Sequence, residues 1–173
     1  EPPWDSDGRW HVDGHWFHHY PFSSEIGAIL VMFFSDVSDE MGGTAIAVGS
    51  HKCISRALVH AGTRGLSTYE MSQVVSNCLV QSSYPMIELT GKAGDVVFMH
   101  PFLIHARSKN LGKVGDVSAV RFMCHPNVCL KSPMNFFQSS TTTTLSPLEQ
   151  SIYDACCGSS PFSSTSTSSQ EEI

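Results

Sequence analysis

Short apolar runs, separated by polar turn segments, recur along most of the chain. The longest begins at Ile26, and its β-branched and aromatic residues predict a strand over 26–37. Similar runs predict further strands over 44–48, 84–89, 95–99, 103–107 and 117–124. Turn-rich connections are expected at 36–43, 91–94 and 108–116. Many short strands with such punctuation favour a mainly β fold, either a jelly roll or a barrel.

Three segments with helix-start signals interrupt this pattern. Ser50 is the expected N-cap of the first helix, and Ser67 with Glu70 forms a capping box for the second. Ser146 followed by Pro147 is typical of the start of the third. The three helices are expected to end near His60, Val80 and Cys157.

The length of 173 residues suits one domain with a sizeable core. We expect this core to span 1–157 and the Ser- and Thr-rich segment 158–173 to be a disordered tail, with another loop at 139–144. A net charge of −6 excludes a basic nucleic-acid-binding surface, and no apolar run is long enough to span a membrane. Without a leader pattern at its start, the chain is expected to be cytoplasmic.

The six cysteines are spaced irregularly and include no C-x-x-C pair. This spacing disfavours a zinc knuckle, and the size and irregular spacing also disfavour a disulfide framework. We therefore predict that the cysteines are free thiols, namely Cys53, Cys78, Cys124, Cys129, Cys156 and Cys157.

The segment His11-Val12-Asp13 carries the first candidate chemistry. Side chains two apart on an extended strand point to the same face, so His11 and Asp13 can present an imidazole and a carboxylate to one metal ion. Such a pair is two thirds of the 2-His-1-carboxylate triad of non-haem iron oxygenases. A hydrogen-bonded histidine–aspartate pair without a metal is the alternative that these residues leave open.

A second histidine ligand is expected on a later strand, where His100 and His105 are the candidates. His100 lies beside Pro101, whereas His105 lies within an apolar run, where a buried imidazole needs a partner. Either could instead be a hydrogen-bonded core histidine. Arg121 also interrupts an apolar run, and its guanidinium needs an anion, which is either an acidic side chain or a bound carboxylate.

In this order, the motifs resemble those of the phytanoyl-CoA dioxygenase family of Fe(II)- and 2-oxoglutarate-dependent oxygenases. The likeness rests on W-H-V-D-G, on D-V-S-D-E-M-G-G-T-A-I-A-V-G-S-H-K, on G-D-V-V-F-M-H-P-F-L-I-H-A-R-S-K-N and on V-R-F. It extends through S-P-L-E-Q at 146–150 and so covers nearly all of the chain except the tail. It implies a cupin-like double-stranded β-helix, or jelly roll, with a few flanking helices.

The resemblance also implies which residues carry the chemistry. The iron ligands of the family correspond to His11, Asp13 and His105, which would form the catalytic centre. His100 corresponds to a histidine that is not a ligand. Related halogenases have a small residue in place of the carboxylate, so Asp13 favours hydroxylation.

Cosubstrate contacts follow from the same likeness. The arginine that binds the far carboxylate of 2-oxoglutarate corresponds to Arg121. Met32 falls near a position that lines the cosubstrate in relatives, and Thr44 is a candidate pocket hydroxyl. The implied reaction uses Fe(II), 2-oxoglutarate and O2 to hydroxylate a small organic or lipid-like substrate.

Two departures from the family matter. Relatives carry a substantial segment before the H-x-D strand, so we expect this chain to lack the N-terminal part of the fold. Relatives often have a small residue and then Ser-Gly after the distal histidine, whereas here Arg107 is expected either to point outward or to modulate the pocket. The loop histidines His15, His18 and His19 are expected either to meet substrate at the mouth of the site or to lie on the surface.

Two alternatives to an active oxygenase remain at the level of sequence. One is a catalytically inactive metal-binding module on the same fold. The other is a cupin-like zinc protein, which leaves Arg121 without a role. No basic cluster directed at coenzyme A stands out, so the family name does not define the substrate. The sequence makes no prediction of the oligomeric state.

Overall fold

The structure is a computed structural model that describes residues 9–113, 115, 117–135 and 144–157. In chain order, its elements are β1 (Ala28–Phe33), β2 (Thr44–Ala47), α1 (His51–Ala61), α2 (Thr68–Gln81), β3 (Met86–Leu89), β4 (Val96–Met99), β5 (His105–Arg107), β6 (Met123–Cys124), β7 (Asn127–Val128) and α3 (Pro147–Cys157). The expected tail at 158–173 and nearly all of the expected loop at 139–144 lie outside the described residues.

The strands form two antiparallel sheets, consistent with the predicted mainly β fold. In one sheet the order is β4-β1-β6, and β7 also pairs with β1. In the other the order is β3-β2-β5. The predicted strands are thus present at most of the expected positions, although most are shorter than the apolar runs that predicted them.

Buried apolar side chains make two clusters. On β1 the residues Ile29, Val31 and Phe33 alternate with half-buried neighbours, as the two-residue period of a strand requires. They centre the smaller cluster. The larger cluster packs the three helices against the segment before β5, and its fully buried members include Ile54, Leu58, Ile104 and Ile152.

The helix-start predictions succeed where the signal is local. Ser67 accepts a hydrogen bond from the Glu70 N–H at 3.3 Å while the Glu70 carboxylate accepts from the Ser67 N–H at 2.8 Å. Ser146 and Glu149 make the same reciprocal pair before α3. Among the described helices, none is both long enough and apolar enough to cross a membrane.

Ser50 precedes α1 as predicted, but its side chain is not a cap. Its backbone is already helical, with φ −63° and ψ −23°, and its hydroxyl accepts a hydrogen bond from the Ile104 N–H at 2.9 Å. Ser50 is fully buried, so this bond satisfies two polar groups inside the core. The predicted cap instead ties the start of α1 to the segment that leads into β5.

The predicted strand over 117–124 is largely wrong. Val117–Ala119 is a short 3₁₀ turn, and only Met123–Cys124 pairs as a strand. The apolar residues that predicted a longer strand, Val120 and Phe122, are exposed at 53% and 63%. They lack a covering layer among the described residues, so their hydrophobicity does not indicate burial in a sheet.

The prediction that the cysteines are free thiols is wrong for two of the six. Cys53 on α1 and Cys78 on α2 form a disulfide, with their Cα atoms 6.1 Å apart. Spacing along the chain could not reveal this pair, because helix packing brings the two residues together. Disulfides persist mainly in oxidising compartments, so the bridge weighs against the cytoplasmic location predicted by default.

Replacing both bridged cysteines, Cys53→Ala with Cys78→Ala, is expected to lower the free energy of unfolding by about 3 kcal/mol, because opening a loop of 25 residues raises the entropy of the unfolded chain. Chemical denaturation of the oxidised protein measures the difference. Cys129→Ala is the control, since Cys129 is an exposed free thiol. Alkylation of all six thiols in denatured, unreduced protein would contradict the bridge.

His100 is a packing residue at the corner before β5. Its Nδ1 accepts a hydrogen bond from the Phe102 N–H at 3.0 Å, and its ring lies 4.8 Å from that of His51, measured between centroids. The Nε2 atom is buried and has no hydrogen-bond partner among the described residues. Burial, followed by repulsion from His51, lowers the pKa of His100 to about 3.

This buried imidazole predicts a loss of stability in acid. An unfolded histidine titrates near pH 6.5, so between that pH and about 3 the unfolded chain binds a proton that folded His100 does not. From pH 7 to pH 5 we expect the unfolding free energy of the wild type to fall by about 1–2 kcal/mol more than that of His100→Asn, which keeps an acceptor for Phe102. Denaturation curves at the two pH values test this; equal losses would contradict a neutral, buried His100.

Candidate metal centre and cosubstrate cavity

Two segments far apart in the chain pair at the centre of the site. The His11 N–H donates to the His105 carbonyl and the His105 N–H donates to the His11 carbonyl, both at 2.9 Å. This reciprocal bridge extends the three-stranded sheet beyond β5. Residues paired in this way project their side chains to one face, and the two rings lie 4.4 Å apart between centroids.

Asp13 completes a cluster with these two histidines. Its Oδ1 lies 3.3 Å from His11 Nε2 and 3.4 Å from His105 Nε2. The chain turns immediately afterwards at Gly14, whose φ is +117° and whose missing Cβ would meet Phe17 and His19 at 2.6 Å. Glycine is therefore needed to fold the following loop back against the site. One ligand atom from each of His11, Asp13 and His105 falls within 4.8 Å of the others.

The backbone determines which ring nitrogen of each histidine faces Asp13. The Nδ1 of His11 lies 2.9 Å from the Arg9 carbonyl, and the Nδ1 of His105 lies 3.0 Å from the Leu103 carbonyl. A carbonyl only accepts, so each Nδ1 carries the proton. The Nε2 atom of each ring therefore faces the carboxylate. When protonated it donates to Asp13, and when deprotonated it leaves a neutral ring whose Nε2 lone pair can bind a metal.

Charge in the cluster is concentrated on the aspartate. Burial opposes ionisation of Asp13, but hydrogen bonds from His105 and His11 outweigh it and hold the pKa of the carboxyl well below its usual range. In the absence of a metal, the hydrogen bond to Asp13 raises the pKa of His11 against the opposing effect of burial. Two imidazoles and an ionised carboxylate are a donor set that fits Fe(II) with open coordination positions.

A cavity of about 270 Å³ adjoins the cluster. It is lined by two of the clustered histidines and by polar and cationic residues from both sheets. Its lining is His11, Gly43, Thr44, His105, Ala106, Arg107, Arg121, Met123, Cys124 and His125.

Arg121 contributes a cation to this cavity. Gly42, with φ +79°, gives it room, since a Cβ there would lie 3.0 Å from the Arg121 Nε. Partial burial, followed by repulsion from Arg107, lowers the pKa of Arg121. No acidic side chain in the described part of the chain forms an ion pair with Arg121. Its position therefore matches the alternative in which the anion is a ligand.

The other candidate cosubstrate residues differ in whether they line this cavity. Thr44 is 3% exposed and lines the cavity, as predicted. Met32 is half-buried on β1 and does not line the cavity. Its partner residue on the neighbouring strand, Cys124, does line it. Arg107 is exposed and is part of the cavity lining.

Among the cavity residues that the sequence did not predict, His125 is the one with an ionisable ring. Its Nε2 lies 2.9 Å from the Thr44 hydroxyl, and its ring lies 6.4 Å from that of His105. A histidine directly before Pro126 after an apolar run gives little signal on its own. The position two residues beyond Met123, and four beyond Arg121, was the one available clue, since alternate residues of a strand share a face.

The loop histidines have different environments. His15 is exposed, with its ring 5.7 Å from that of His11, and His18 is exposed with its Nε2 2.9 Å from the Arg64 carbonyl. His19 is 3% exposed, so the surface alternative is wrong for this residue. A second cavity, of about 350 Å³, is lined in part by His11, His15 and His19 and by the α2 residues Met71 and Val75.

Comparison with known proteins agrees with the motifs. A family model described as phytanoyl-CoA dioxygenase matches residues 4–114, which is more than half of the chain and includes His11, Asp13 and His105. Arg121 lies beyond the matched range. A search of curated proteins finds no match to this chain. On the family match, the chain belongs to the phytanoyl-CoA dioxygenase family.

Proposed function

We propose that this protein is an Fe(II)- and 2-oxoglutarate-dependent dioxygenase that hydroxylates a small organic or lipid-like substrate. The observation that carries the proposal is the convergence of His11, Asp13 and His105 beside a cavity that also holds Arg121. Family membership supports the same class of chemistry. We further propose that the two sheets are the halves of a double-stranded β-helix, with the site between them.

In this proposal His11 and His105 hold Fe(II) through Nε2 and Asp13 holds it through its carboxylate. Their Nδ1–H bonds to backbone carbonyls keep the rings oriented and leave Nε2 for the metal. When bound, iron with 2-oxoglutarate and O2 supplies the oxidising power that hydroxylates a C–H bond, and decarboxylation of 2-oxoglutarate to succinate and CO2 balances the reaction. The protein contributes position and the exclusion of competing reactions.

Arg121 has the role of anchor for the far carboxylate of 2-oxoglutarate. A planar guanidinium binds a carboxylate through two parallel hydrogen bonds. Arg121 forms no ion pair with a described acidic side chain, and the Glu88 carboxylate that attracts it accepts hydrogen bonds from the Glu40 and Gly43 N–H groups instead. This favours an oxygenase over a zinc protein, in which the same cation would have no ligand. The cavity of about 270 Å³ suits a small dicarboxylate.

The primary substrate would approach from the second cavity. Its apolar wall from α2, with Met71 and Val75, suits the carbon skeleton of a small organic or lipid-like molecule. His11 lines both cavities and so lies at their junction. The disulfide between Cys53 and Cys78 would steady this wall, because it ties α2 to α1.

Anaerobic titration of the protein with Fe(II) and then 2-oxoglutarate is expected to produce the visible metal-to-ligand charge-transfer band of a chelated 2-oxo acid. Asp13→Ala should abolish the band, because it removes the anionic ligand. Arg121→Ala should retain it but need at least about tenfold more 2-oxoglutarate, because a charge-assisted hydrogen-bond pair is lost.

Lys52→Ala is the matched control for Arg121→Ala, because it removes one positive charge from an exposed position on α1. It should leave the titration unchanged. A folded wild-type protein that binds Fe(II) without developing the band would overturn the oxygenase proposal and favour a metal-binding module. Circular dichroism of each variant verifies that it is folded.

A further inference from the structure

The turn between β6 and β7 brings an imidazole into the cosubstrate cavity that the proposed chemistry does not yet use. His125 lines this cavity with Thr44, His105 and Arg121. The residue is exposed, so a molecule in the open cavity can reach it. Its ring makes an edge contact with that of His105, at 6.4 Å between centroids and an interplanar angle of 71°.

The Thr44 hydroxyl holds this ring in place. Thr44 lies on β2 in the three-stranded sheet, whereas His125 directly follows β6 of the other sheet. The 2.9 Å hydrogen bond between Thr44 Oγ1 and His125 Nε2 therefore joins the two sheets across the cavity. Nδ1 has no hydrogen-bond partner among the described residues, and it is the ring nitrogen left for a ligand.

The hydrogen bond to Thr44 also bears on which ring nitrogen of His125 carries the proton. A neutral imidazole has one donor and one acceptor nitrogen. When the Thr44 hydroxyl donates to Nε2, Nδ1 carries the proton and can donate.

We propose that His125 is a cosubstrate-binding residue, which donates a hydrogen bond from Nδ1 to a carboxylate oxygen of 2-oxoglutarate while Thr44 fixes the tautomer and orientation of the ring. The inference rests on the proposed function, because it places that cosubstrate in this cavity. It adds to the cationic anchor Arg121 a neutral, directional donor held by both sheets.

Two substitutions distinguish a direct contact between His125 and 2-oxoglutarate from a purely structural hydrogen bond between His125 and Thr44. His125→Gln retains a polar group near the position of Nε2 and loses the one at Nδ1. His125→Asn does the reverse, because the end of its shorter side chain reaches only the Nδ1 position. Each variant is titrated anaerobically with Fe(II) and then 2-oxoglutarate, and Fe(II) binding alone is measured by calorimetry.

We expect His125→Gln to weaken 2-oxoglutarate binding about tenfold, the effect of losing one hydrogen bond to a charged group. His125→Asn should lie between this variant and the wild type, and Fe(II) affinity should stay unchanged in both. Wild-type affinity in His125→Gln would overturn the inference even with a normal charge-transfer band. Absence of that band in the wild type would instead overturn the proposed function.

The tautomer supplies a readout that a purely structural role would not change. With Zn(II) in place of Fe(II), the ¹⁵N chemical shifts of His125 should identify Nδ1 as protonated. The Nδ1 shift should move when 2-oxoglutarate is added. His125→Asn assigns the signals by removing them. A proton on Nε2, or a Nδ1 shift that ignores 2-oxoglutarate, would contradict the proposed contact.

Discussion

The reciprocal backbone hydrogen bonds between His11 and His105 are the constraint on which the site depends. A shift of one residue in the pairing of these two segments would turn either histidine side chain to the opposite face of the sheet. The two 2.9 Å bonds settle that register and bring both rings to the same face. Asp13, two residues along, then needs only the turn at Gly14 to meet them.

The same backbone solves an electrostatic problem. Three titratable groups crowd together, and a metal binds them only if the two imidazoles are neutral and the carboxyl is ionised. Carbonyls of Arg9 and Leu103 hold the protons on the outer ring nitrogens, while the inner nitrogens face Asp13. Arg121 places a positive charge in the cavity beside this cluster, which carries the negative charge of Asp13. This arrangement suits a bound molecule that chelates a metal at one end and carries a carboxylate at the other.

What the sequence by itself determined was local. The pairs Ser67–Glu70 and Ser146–Glu149 start helices because every group they need lies within one helical turn. The two-residue spacing of His11 and Asp13 predicted that they share a face, because this prediction also depends only on neighbouring residues of one extended segment. The strand around Ile29 and Val31 was predicted because its run of apolar, β-branched and aromatic residues is a local feature, and the structure buries one face of this strand and half-buries the other.

Tertiary structure alone decided whatever required two distant segments to meet. The hydroxyl of Ser50 binds Ile104 instead of capping its own helix, and Cys53 meets Cys78 because α1 packs beside α2. The residue pattern left His100 and His105 open and only the family resemblance favoured His105; in the fold, the backbone that pairs with His11 makes His105 the neighbour of Asp13. Pairing His125 with Thr44 needs both sheets in place. Chain spacing carries no information about such contacts, because their energy appears only when sheet register and helix packing bring the partners within hydrogen-bonding or bonding distance.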